Sequence, residues 1–292
     1  MNRPIQSVSP LFASAMRNVD LNSWADFPAA IADIRGEFGT HTIDVSDKGP
    51  ITLDNRILFR GHADSDWRLE TTLERATDSA YTVQRYLQSV DSCVNEIESV
   101  TGRRWNLQPY PDIVKEIESH QDFMRVHLPH YEYLVYLRHH GFPSPLLDWT
   151  TSPYIAAYFA FEQSNSADRC AVFAFIETPE GLKSGSGNSN LIRTMGPYVT
   201  THVRHFAQKA WYTTATSWDS EKKAHTFCSH HDVTPDPIVT QDVLIRITIP
   251  RSHRVDALTQ LEDYNINHFT LFQTEDALIR SMGLRVFDLD GE

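Results

Sequence analysis

The chain is short of cysteine, of positive charge and of long apolar runs, and each shortage excludes a class of protein. Only Cys93, Cys170 and Cys228 occur in 292 residues, an odd number at wide spacing. No disulfide framework can be read from them, and a reducing cytoplasm is the expected setting. Lys and Arg number 26 against 38 Asp and Glu, a formal net charge of −12. A chain so balanced repels polyanions as a whole, so any nucleic-acid contact has to come from a local cleft. The longest apolar stretches, Val243 to Ile249 and Cys170 to Ile176, fall far short of the roughly 20 residues that span a bilayer. No membrane partner is expected, and the N-terminal stretch lacks the apolar core of a signal peptide. GxxxxGK[ST], HExxH, GxSxG and CxxC are all missing, and Gly185-Ser186-Gly187 lacks the third glycine of a dinucleotide fingerprint. P-loop, zincin and α/β-hydrolase chemistry drop out with them.

What remains is a chain with 41% hydrophobic residues, enough for one large core or two modest ones. Residues 1–20 read as a polar arm, and Asn22 or Ser23 caps a helix through Trp24, Phe27, Ile31 and Ile34 that stops at Gly36. Ile57 to Arg60 form a short strand ending on Gly61. Three- and four-residue apolar steps predict a helical insertion over 81–125, in two runs, 81–101 and 112–125. A helix through Leu134 and Leu137 follows, then a turn at Pro143 and Pro145 and a helix opening at Ser152-Pro153. Further strands are predicted at 170–176, near 206–213 and at 243–249. Lys183 to Asn190 reads as a Gly/Ser-rich loop and 217–237 as a polar stretch, while one helix starts near Ser252 and a last one runs through Ala277 to Met282. Dispersed strands between helix blocks predict an α+β fold in one domain over 21–292. His225, Cys228, His230, His231 and Asp232 crowd together without a standard zinc spacing, so no metal is assigned. Pro129, between His127 and His130, marks a helix start.

Two segments carry the unusual residues. The first is Phe59-Arg60-Gly61-His62, followed by Asp66-Trp67-Arg68-Leu69 and Leu73-Glu74-Arg75. The second is His139-His140-Gly141-Phe142-Pro143-Ser144-Pro145-Leu146-Leu147-Asp148-Trp149-Thr150-Thr151-Ser152-Pro153, continuing as Ala156 to Ala160. Together they resemble the FRG domain family, whose second signature is HHG-x-P-T-x-LLDWT-x-x-P. The usual Thr-Arg before LLDW is Ser144-Pro145 here, and the usual Ala-Gln before HHG is Leu137-Arg138. A third, weaker element is similar over Arg204 to Thr213, with Ala210 in place of glycine. On these elements the resemblance extends from about residue 24 to 287.

The order of parts is also similar to that of Arg–Ser–Glu type ADP-ribosyltransferases, which implies a split mixed sheet around an NAD cleft. NAD is then the substrate, and Arg60 on a rigid strand end suits its pyrophosphate. Gly61, Thr150, Thr151 and Ser152 join Arg60 in holding it, and Trp149 and Tyr158 wall the nicotinamide. The catalytic set is Arg60, Ser152, Gln208 and His140. No glutamate lies between residues 181 and 220, so Gln208 stands where an acidic residue is expected, with Glu275 of Gln273-Thr274-Glu275 as its rival. Plainer roles remain open: Arg60 as a structural partner of Asp148, Ser152 as a helix cap, Glu275 as a helix-start charge, and His140 as either general base or core histidine. The implied function is mono-ADP-ribosyl transfer by a toxin of a toxin–antitoxin or phage-defence system. Its acceptor is a protein or single-stranded RNA, with Arg103-Arg104-Trp105 and Arg193 to Arg204 as candidate groove walls, and an antitoxin is a further partner. The alternatives are NAD glycohydrolase activity and a catalytically silent ligand- or partner-binding module.

Overall fold

The computed structural model describes residues 16–45, 49–77, 80–119, 128–179, 191–197, 199, 203–230 and 242–289. Ten strands occur among them: β1 (Arg17–Asp20), β2 (Thr40–Val45), β3 (Gly49–Asp54), β4 (Ile57–His62), β5 (Leu147–Thr150), β6 (Arg169–Glu177), β7 (Leu191–Met195), β8 (Ala210–Asp219), β9 (Ala224–Phe227) and β10 (Asp242–Pro250). The helices are α1 (Phe27–Phe38), α2 (Thr72–Ala76), α3 (Val83–Asp91), α4 (Val94–Thr101), α5 (Tyr110–Ser119), α6 (Tyr131–His139), α7 (Pro153–Phe161), α8 (Val203–Ala207), α9 (Arg254–Asp263), α10 (His268–Phe272) and α11 (Glu275–Leu284).

The main sheet runs β1-β10-β6-β4-β5-β8-β7, with β9 on β8, while β2 and β3 form a separate ribbon. β1 pairs parallel with β10 and the other neighbours pair antiparallel. The fold is therefore α+β with a mixed sheet, as the dispersed strands predict. β6 shows why the sheet is central. Cys170, Val172, Ala174 and Ile176 pack into one apolar cluster and Ala171, Phe173 and Phe175 into another, so alternate side chains are buried on both faces. α1, α7 and α9 cover the first face. α3, α5 and α6 form a second core against Ala210, Tyr212 and Phe227.

One place in the sheet is barely stitched. β4 and β5 share a single register pair, Phe59 with Thr150, whereas β4 pairs with β6 over all six of its residues. Two well-laddered halves thus meet at one point, and the ends of β4 and β5 diverge around a cavity.

The structure departs from the periodicity in identifiable places. Arg17–Asp20, read as arm, is an edge strand; residues 1–15 lie outside the described residues. The first helix continues through Gly36 to Phe38 and ends at Gly39, whose N–H donates to the Arg35 carbonyl at 2.8 Å. The single helix predicted over 81–101 breaks at Ser92 and Cys93, where the Ser92 hydroxyl donates to the Ser89 carbonyl at 2.7 Å and competes with helical bonding. The strand predicted near 206–213 is a helix as far as Ala207. The chain turns at Lys209, whose φ is 48°, before β8 begins at Ala210. The polar stretch after 217 holds β9, and α10 was not foreseen. The loop at 183–190 and residues 120–127, His127 included, lie outside the described residues, as do His231 and Asp232. Among the described residues no helix is long and apolar enough to cross a membrane, and all three cysteines are free thiols.

Candidate functional site

The two unusual segments meet because of two glycines and a proline. Strand parity puts Phe59 and Gly61 of β4 toward α7. A Cβ on Gly61 would stand 1.9 Å from the Ala156 carbonyl oxygen and 2.7 Å from the Ala160 nitrogen. The helix axis therefore rests on the strand backbone, which only a missing side chain permits. Ser152 caps α7, its hydroxyl accepting from the Ile155 N–H at 3.4 Å, and Pro153 occupies the first helical turn. Gly141, at φ 86°, closes α6: its N–H donates to the Arg138 carbonyl, and Phe142 N–H to that of Leu137, both at 3.0 Å.

Between these elements lies a cavity of about 710 Å³, within the range of small-molecule and cofactor sites. Arg60, Arg68, Arg75, Arg138 and Arg204 line it against only Glu70, Asp148 and Glu162. An acidic chain thus encloses a locally positive pocket. Arg60 is part-buried in its wall, where Nε donates to His62 Nε2 at 3.0 Å and Nη1 to the Asp148 backbone carbonyl at 2.8 Å. The first bond requires an unprotonated His62 Nε2; the ring's Nδ1 lies 3.4 Å from the Trp67 carbonyl. Arg60 Nη2 has no hydrogen-bond partner among the described residues. Burial lowers the Arg60 pKa to about 10, with Asp148 opposing that shift and the charges of Arg138 and Arg75 adding to it.

Asp148 does not pair with Arg60 through its carboxylate. Arg138 grips both Asp148 oxygens with Nε and Nη2, and its Nη1 donates to the Thr72 hydroxyl at 3.2 Å. Burial pushes the Asp148 pKa up, but the charge and hydrogen bonds of Arg138, with help from Arg60, hold it below the ordinary 3.8. Its contribution to stability is thus complete above pH 3.8 and is lost as the pH falls through the lower folded value. Asp148→Ala leaves Arg138 unpaired. The expected cost is about 2–3 kcal/mol, less than the roughly 3–5 of a fully buried pair, because the Asp148 side chain is 45% exposed to the cavity. Denaturant unfolding at pH 7 measures it, and the variant's deficit should shrink as the pH falls below 3.8, through the lowered folded value.

The structure redistributes the residues expected from sequence. Arg60, Gly61, Trp149, Thr150 and Gln208 line the cavity; Thr151, Ser152, Tyr158, His140 and Glu275 do not. Ser152 is occupied as a helix cap. Tyr158 faces a second cavity, on the side of Arg254 and Phe287. His140 is exposed and its ring leans on Tyr136, while His139, its neighbour, faces the pocket. His139 Nε2 is 3.0 Å from the Tyr212 hydroxyl, which lies 3.4 Å from His205 Nδ1; His205 Nε2 donates to the Pro197 carbonyl at 3.1 Å. Trp149 is buried, its indole N–H donating to Thr213 at 2.7 Å, so it is a wall rather than a mobile stacking partner. Gln208 donates through Nε2 to the Leu271 carbonyl at 3.2 Å. Glu275 opens α11 as a first-turn charge. Arg103 lies over Trp105 at 4.0 Å, Arg104 pairs with Glu98 at 2.6 Å and Arg193 with Glu177 at 3.1 Å. Of those groove candidates, Arg204 reaches the pocket. Trp67, Glu70, Arg75, Arg138, Tyr212 and Glu162 also line the cavity, and of these Trp67, Arg75 and Arg138 stand in or beside the quoted motifs.

The family comparison bears on this same region, since the model described as the FRG domain matches residues 55–169. The resemblance to the FRG domain is thus carried by residues 55–169. The match begins just before β4 and ends at the first residue of β6, so it spans both signatures and the helical block between them. The matched segment supplies Arg60, Glu70, Arg138 and Asp148 to the pocket, whereas Arg204, Gln208 and Tyr212, in the weaker third element, come from outside it. No curated protein and no solved structure matches the chain.

Proposed function

We propose that the protein is an NAD-dependent mono-ADP-ribosyltransferase with its active site in the arginine-lined cavity. The observation that carries the reading is Arg60: a part-buried guanidinium lining the pocket, with Nη2 uncommitted and no carboxylate of its own. Such a group fits an anionic ligand that arrives from outside, and a pyrophosphate offers two acceptors in the plane of the fork. Arg68, Arg75 and Arg204 extend the positive lining, and the half-exposed Trp67 at the cavity wall, 49% accessible, offers a flat face for an aromatic ring. In this reading His139, whose Nε2 lies 3.0 Å from the Tyr212 hydroxyl, receives a proton from the acceptor.

Labelled NAD incubated with the protein and a cell lysate tests the reading. Label retained on a macromolecule and released by protease or by RNase supports transfer and identifies the acceptor class. Free ADP-ribose alone replaces transfer with hydrolysis of NAD, and unchanged NAD leaves a silent binding module. The toxin role carries its own expectation: expression arrests growth, and Arg60→Ala relieves the arrest.

A further inference from the structure

The sequence offers no glutamate where an Arg–Ser–Glu site would place one, and the cavity suggests another source for the negative charge. Three carboxylates line it, and two are already neutralised. Asp148 is chelated by Arg138. Glu162, whose side chain is 8% exposed, has Arg280 Nη2 and the His268 ring each 2.8 Å from Oε1. Glu70 has no hydrogen bond or ion pair to its carboxylate among the described residues, and it faces the pocket. Its backbone is nonetheless held firmly. Leu69 before it is 1% exposed and Thr71 after it 3%. The Glu70 N–H donates to the Arg68 carbonyl at 2.9 Å, and its own carbonyl accepts from Arg75 Nη1 at 3.2 Å. Thr71 is locked in a capping box with Glu74. A carboxylate without a partner, on a fixed backbone at the edge of a positive pocket, gives the fold no stabilising contact, which is the pattern of a group kept for a ligand.

Resting on the transferase reading, we infer that Glu70 is the catalytic carboxylate of this site and that Gln208 is a strut tying α10 to the start of β8. In the reaction the bond from ribose C1′ to the nicotinamide nitrogen breaks and its electron pair leaves with nicotinamide. The oxygen or nitrogen of the acceptor forms the new bond to C1′, and its proton passes to His139. Positive charge builds on the ribose between these events, and Glu70 stabilises it more in the transition state than in bound NAD.

Steady-state nicotinamide release from NAD, measured on wild type, Glu70→Gln, Glu70→Asp and Glu162→Gln, tests this. Glu70→Gln keeps size and removes charge, so kcat should fall by about 10²–10³-fold, as for other preorganised electrostatic groups. KM should stay within about threefold and the melting temperature should not change, since no partner is lost. Glu70→Asp should recover part of kcat. Glu162→Gln should lower the melting temperature, because the charge that pairs with Arg280 is lost. An active wild type with Glu70→Gln equally active, or impaired only through KM, overturns the role of Glu70 alone. A wild type that leaves NAD intact overturns both the role and the transferase reading.

Discussion

Arg60→Ala should lower the rate of NAD cleavage by about 10²–10³-fold while leaving the fold nearly as stable as before. The two halves of this expectation have one cause. A pKa lowered to about 10 means that the cation is less favourable in the folded chain than in the unfolded one, a cost present across neutral pH. Arg138 and Arg75 add repulsion, and the nearest carboxylate, that of Asp148, is spent on Arg138. Removing Arg60 forfeits its bonds to His62 and the Asp148 carbonyl but relieves that burden. The melting temperature should fall by no more than roughly 3 °C, the change that about 1 kcal/mol produces in a chain of this size. Nicotinamide release and thermal unfolding on the same preparation decide it. A drop of 10 °C with activity retained would return Arg60 to a purely structural role.

The second large effect concerns stability. Gly61→Ala should destabilise the protein by about 3 kcal/mol or more, the upper range for overpacking a core, and lower the melting temperature by roughly 6–10 °C. Gly61 does not adopt a left-handed backbone, so alanine suits its conformation; what fails is space. The clashing atoms are the Ala156 carbonyl and the Ala160 amide, which are helix backbone and cannot rotate aside, so α7 must lift off β4. Ala156 and Phe159 line the cavity on that helix, so activity should fall with stability. Gly141→Ala makes the control. Its surroundings are open, but its φ is 86°, so the cost should be about 1 kcal/mol, read from the same melts. Equal losses at the two positions would refute the steric account of Gly61.

Local chemistry made much of this protein legible without coordinates. The stretch Leu146 to Pro153 shows its strand, cap and helix start because alternation, a serine cap and an N1 proline act within a few residues. Arg60 and Gly61 stood out for the same reason, as did the mixed α+β character. Side-chain direction did not. His139 and His140 are adjacent and chemically identical, and only the end of α6 decides which faces the pocket. Ser152 and Tyr158 sit near the motif in sequence, yet Ser152 caps α7 and helix rotation turns Tyr158 toward a different cavity. Glu70 carried no signal at all, since an uncommitted carboxylate is defined by the partners it lacks. Periodicity and capping are properties of neighbours in sequence, so the sequence by itself determined the elements and the two motifs. Which charges are cancelled, which remain free and which share one pocket depend on contacts between distant segments, and those only the tertiary structure decided.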